Sequence, residues 1–212
     1  MDKTLLAAGL ACLFAAPVFG QAPTSAYTRT DGEGACTGLE EELDEGYYFY
    51  SVCQGYGGWV LHLDGGEHGQ RSTFRPDADP IPDEQRPSAF NYPFSQGNFG
   101  YFHNVIEWRL ASAENAPYAV IHRYYAQVPD PDGMEWSTIS TLTVSALRTP
   151  EAGGTCMVAH IAATTLADAN LVARDVADRY APGFTCGQDR AVIIDTVSPT
   201  LDAAIAAGSF TP

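Results

Sequence analysis

Hydrophobic and polar residues alternate along much of this chain. Over 105–110, the apolar Ile106, Trp108 and Leu110 alternate with Glu107 and Arg109. That two-residue period belongs to a strand with two different faces. Residues 118–125 repeat it, with Val120 and His122 on one face and Ile121 and Arg123 on the other. The short polar segment between them makes the pair an antiparallel hairpin, and Glu107 with Arg109 or Arg123 suits a cross-strand surface ion pair. Upstream, 46–53 and 59–63 flank the glycine-rich stretch 54–58 and read as a second hairpin, with 71–75 as a short third strand. Downstream, 136–147 alternates Ser and Thr with Ile, Leu and Val, 155–163 reads as a buried strand, and 191–195 as a last strand.

The period changes once. Leu166, Ala169, Ala173, Val176, Ala177 and Tyr180 recur at three- and four-residue steps, which predicts a helix over 166–180 with one apolar face. Three alanines make that face shallow, so the helix can approach a sheet closely. Thr165 followed by Asp168 fits a capping box, and Asp175 with Arg179 an i,i+4 pair. Ser198 and Pro199 start a short C-terminal helix ending near Gly208. The segment 76–88, with four prolines and several acids, reads as an extended surface loop. Residues 90–102 combine aromatics with Asn and Gly, and suit either a recognition loop or a satellite core. The predicted fold is therefore α+β: an antiparallel sheet built from hairpins, with a long helix at about 166–180 packed on one face.

The N-terminus adds an address. Lys3 followed by an apolar run to Ala16 and small residues near 18–22 reads as a signal peptide over 1–20. The run is too short for a permanent anchor, and no other stretch is long and apolar enough to span a bilayer. Residues 21–35, rich in Ser, Thr, Pro and Gly, read as a flexible lead-in, and 36–212 as one domain. Four cysteines remain after the signal: Cys36, Cys53, Cys156 and Cys186. An even count in an exported chain reads as two disulfides. Of the three connectivities, Cys36–Cys53 and Cys156–Cys186 are preferred because each joins sequence neighbours. No CxxC pair points to zinc.

Charge narrows the partners. The chain has 26 acidic and 11 basic residues, a net charge of −15, and Lys3 is its sole lysine. That balance excludes nucleic acid and anionic membrane surfaces as expected partners. It suits solubility or a cationic partner.

The motifs Tyr50–Gly58, Ile106–Arg109, Pro117–Tyr124, and Cys156 through Ala169, Ala173 and Ala177 to Cys186 resemble a group of uncharacterised exported proteins of alphaproteobacteria. The resemblance spans roughly 36–195. It implies a periplasmic address and the paired-cysteine framework, and it carries no activity or site residues.

Candidate chemistry is sparse. No GxSxG, HExxH or phosphate-loop pattern occurs. Asp130 and Asp132 before Gly133 lack the later ligands of a calcium loop. His62, His122 and His160 lie on separate strands, where convergence with an acid such as Glu107 would make a base or a metal site. The leading expectation is a periplasmic or secreted, non-enzymatic module binding a small ligand or an envelope protein, with no cofactor and no metal. The alternative is a periplasmic hydrolase, metal-assisted through the strand histidines.

Overall fold

The computed structural model describes residues 22–43, 46–66, 69–82, 99–112, 116–130, 132–150, 154–195 and 209–210. The proposed signal peptide, the helix at 198–208 and most of the 76–98 region lie outside them. Among the described residues, eleven strands run in chain order: β1 Thr24–Arg29, β2 Cys36–Leu43, β3 Gly46–Gln54, β4 Val60–Gly66, β5 Gly69–Arg75, β6 Gly100–Leu110, β7 Pro117–Pro129, β8 Trp136–Ala146, β9 Cys156–Ala162, β10 Val192–Ile194 and β11 Ser209–Phe210. The helix α1 Ala169–Tyr180 runs directly into a 3₁₀ turn, Ala181–Gly183.

The architecture is mostly β, and it has two sheets where one was expected. A seven-stranded sheet has the order β1-β6-β7-β8-β9-β10-β11, and β2-β3-β4-β5 form a four-stranded meander. Hairpin patterning specifies neighbours in sequence, and it cannot show that β5 leaves one sheet while β6 opens another. The described pairings are antiparallel except that between β9 and β10. A parallel pair needs a crossover, and α1 supplies it. Cys156 at the start of β9 is bonded to Cys186 after α1, so one disulfide closes the β9–α1–β10 unit. The other, Cys36–Cys53, joins directly opposed residues of β2 and β3.

The molecule therefore has three layers. Ala169, Ala173, Val176 and Ala177 of α1 pack on Ile121, Leu142, Val144, Ala159, Ile161 and Ile194 of the large sheet. The alanines do allow close approach, since Ala173 and Ala177 are wholly buried. On the opposite face, Ile106, Trp108 and Val120 meet Cys53, Leu61 and Phe74 of the small sheet. The 54–58 stretch is a tight turn: Gly57 and Gly58 have φ of 61° and 87°. A Cβ on Gly55 would lie 2.9 Å from the Trp108 ring and 2.3 Å from the Trp59 carbonyl oxygen, so glycine is required there.

Three further expectations are corrected. Residues 24–29 are not a loose lead-in but an edge strand paired with β6, so the folded unit starts before Cys36. Ser and Thr are as compatible with a half-exposed strand as with a loop, and the partner lies some eighty residues later. The helix is shorter than predicted, starting at Ala169, because Leu166 is buried in the preceding turn. Asp168 is its N-cap but makes no side-chain cap bond, and the Thr165 hydroxyl donates back to the Ala162 carbonyl (3.4 Å), so the capping box does not form.

Candidate functional site

Alternation along β6 sends Ile106, Trp108 and Leu110 to one side and Glu107 and Arg109 to the other. The second side faces α1 rather than solvent. Arg109 donates to Asp178 through Nε (2.8 Å) and Nη2 (2.6 Å), a bidentate pair, and Tyr118 Oη donates to the same carboxylate (2.6 Å). Arg174 donates to both Glu107 oxygens, at 2.6 and 3.2 Å, and to Tyr27 Oη at 3.1 Å. Ser25 Oγ bridges the two halves, donating to Glu107 and accepting from Arg109, whose guanidinium also approaches Glu107 at 3.6 Å. The result is a ladder of alternating charge between helix and sheet. Burial opposes the Arg109 charge, but the Asp178 hydrogen bonds and carboxylate charge outweigh it and hold its pKa above the ordinary value. Burial, then the Asp178 bond, pushes the Tyr118 hydroxyl well up, so it stays a donor.

This replaces the surface pair expected for Glu107 with Arg109 or Arg123. Arg109 is only 5% exposed, and Arg123 instead donates to Ser140 Oγ and Asn170 Oδ1, each at 3.0 Å. The signal was present in the chain. Glu107 and Arg109 are two residues apart on a strand, about 6.6 Å; Arg174 and Asp178 are four apart on a helix, about 6 Å. The spacings match and the signs cross.

Two clefts border this helix. Beside the ladder is a groove of about 230 Å³, with Ile121 and Leu142 at its base and His103, Arg123, Asn170 and Arg174 among its polar walls. Beyond the far end of α1 is a larger, mainly apolar cleft of about 430 Å³. Val158, Val176, Val192 and Ile194 line it together with Tyr180 and Phe184, and its charged lining residues are Arg179, Arg190 and Asp189, whose carboxylate accepts the Thr185 N–H (2.7 Å). The Cys156–Cys186 bond lies beside it and fixes the chain after α1. Arg148 braces the same corner, donating to the carbonyls of Ala181, Pro182 and Phe184.

The histidines do not converge. His62 alternates with Leu61 and Leu63 on β4, so its ring lies on the small sheet's outer face, away from the large sheet. There Nε2–H donates to the Asp77 carbonyl (2.9 Å), which leaves Nδ1 to accept from Tyr50 Oη (2.6 Å). Tyr50 Oη in turn accepts the Ile81 N–H. His122 is buried on β7, stacked on Phe102 at 4.5 Å, and its Nε2–H donates to the His103 carbonyl (2.7 Å). His160 on β9 is separated from it by Thr143 of β8. Two strand spacings put their backbones roughly 9.5 Å apart. Burial pushes the pKa of both His122 and His160 down to about 4, so both are neutral at pH 7. Among the described residues, no group of three or more His, Cys, Asp or Glu side chains could hold a metal ion.

The arginines draw the distinction that the histidines do not. Among the described residues Arg29, Arg71, Arg75, Arg109, Arg174 and Arg179 pair with carboxylates. Arg148 serves backbone carbonyls. Arg123 and Arg190 remain without a carboxylate partner among the described residues, and each lines one of the two clefts beside α1. Sequence patterning missed both clefts: the groove draws on residues from Tyr27 to Arg174, and the apolar cleft, though confined to 158–194, forms only when β10 pairs in parallel with β9 beside α1. Compared with known protein families, curated proteins and solved structures, the chain matches none.

Proposed function

We propose that this protein is an exported, non-enzymatic binding module that holds a small amphipathic anion, such as an aliphatic carboxylate, in the apolar cleft at the end of α1. The observation that carries the reading is the cleft itself: about 430 Å³, walled by Val158, Val176, Val192 and Ile194, with Arg179 and Arg190 at its edge. That size is typical of small-molecule sites, which are mostly apolar with a few polar groups to orient the ligand. Arg190 is exposed and makes no ion pair among the described residues, so its charge is available to a ligand head group. The disulfide and Arg148 hold the walls in place, which lowers the ordering cost of binding. A periplasmic or secreted address belongs to the same proposal; two disulfides are compatible with it.

Thermal melting of the oxidised protein with octanoate, octanol and octylamine tests it. A ligand at a hundred times its Kd adds about 2.7 kcal/mol, which raises the midpoint by roughly 5–10 °C for a chain this size. Octanoate should give the largest shift, and Val192→Trp, which fills the cleft, should erase it. If none of the three ligands shifts the midpoint, or if the shift survives in V192W, the cleft is not the site.

A further inference from the structure

The groove beside the ion ladder has a different chemistry from the apolar cleft. Its cation is Arg123, half-buried on β7. A guanidinium has five N–H donors. The hydrogen bonds to Ser140 and Asn170 use two of them, and both acceptors are neutral. A half-buried guanidinium that opens into a groove, with donors uncommitted to protein acceptors and no carboxylate partner among the described residues, is placed to make charge-assisted hydrogen bonds to an anion.

The neighbours favour the same ligand. Arg174 and Glu107 both line the groove, and the Glu107 carboxylate is paired with Arg174 and approached by Arg109, which offsets its repulsion of an anion. His103 also lines it, and its Nδ1 accepts the Val105 N–H at 3.2 Å. With Nδ1 accepting, Nε2 is left as the donor. Ile121 and Leu142 give the base of the groove an apolar surface. A volume of 230 Å³ is about eight water volumes, room for an oxyanion with a short substituent.

We infer that this groove binds a small oxyanion, a carboxylate or phosphate group, held by the guanidinium of Arg123 with Arg174 and His103 beside it. The site is independent of the apolar cleft, and V192W should leave it intact.

The test is titration of the ¹⁵N-labelled oxidised protein with phosphate, acetate and propionate at ionic strength held constant with chloride. At least one of them should give saturable shifts at Ile121, Arg123, Asn170 and Arg174, with a Kd in the millimolar range. Phosphate alone would identify a phosphoryl ligand, and acetate or propionate alone a carboxylate. Arg123→Gln should weaken binding at least tenfold. Asn170 is exposed, so Asn170→Asp is well tolerated by the fold, and it sets a carboxylate beside Arg123 as an internal competitor. It should weaken binding to the same degree. Shifts that never saturate with any of the three anions, or an unchanged Kd in folded N170D, would overturn the inference.

Discussion

The two faces of the large sheet bury polar groups in opposite ways. On the helix face they are charged and paired: Arg109 with Asp178, Arg174 with Glu107. On the other face they are neutral and singly bonded: Trp108 Nε1 donates to Thr28 Oγ1 (2.8 Å), His122 donates to a carbonyl, and Thr143 Oγ1 donates to the His122 carbonyl (2.8 Å). A buried ion pair contributes little net stability over an apolar pair but costs a great deal to break. A buried neutral group costs less to disturb, and its penalty depends on pH where it can titrate. The helix face should therefore be sensitive to which residue is present, and the opposite face to solution conditions.

The largest expected effect is on the helix face. Arg109→Met leaves the part-buried Asp178 without its cation and should destabilise the protein by about 3 kcal/mol. Adding Asp178→Leu to that variant should restore most of the loss, since the uncompensated charge is gone. A cost below about 1 kcal/mol in urea melts would mean that solvent screens the ladder, and the contrast between the faces would fail. Next comes pH. The folded-state pKa of His122 is about 4, below the usual 6.5. Between those values the unfolded chain takes up a proton that the folded one refuses. Stability is full above about pH 6.5, falls as the pH drops towards 4, and is flat below; this group contributes about 3 kcal/mol to the fall. His160 adds a similar slope in the same window. Urea melts at pH 7.5 and 4.5 should show His122→Phe losing about half of the wild-type difference; a full difference in that variant would place the titration elsewhere. The smallest effect sharpens the neutral side. Thr28→Val removes the acceptor of the wholly buried Trp108 indole and should cost about 1–2 kcal/mol, independent of pH.

Much of the sheet was legible. Alternation over 105–110 and 118–125 assigned Ile106 with Trp108, and Glu107 with Arg109, to opposite faces, and they are on opposite faces. It could not say what covers each face, so a buried ladder read as a solvent-exposed pair. Both disulfides followed from pairing sequence neighbours. β1 was lost because Ser25 and Thr28 look like loop residues until β6 is beside them. The histidines were correctly assigned to strands, but their strand faces and spacing keep them apart. Arg123 was on the right face. What sets it apart is that its acceptors, Ser140 and Asn170, are neutral, and those partners come from β8 and α1, which no local pattern contains.

The crossed charges of the ladder also act as a gauge for the position of α1. If the helix slid one turn along β6, about 5.4 Å, Arg174 would come to rest opposite Arg109. A slip the other way would set Asp178 against Glu107. Either error brings like charges together in a partly desolvated layer, which costs several kcal/mol. The alanine face of α1 is smooth and would otherwise tolerate sliding, so the ladder fixes a setting that the apolar contacts leave undetermined.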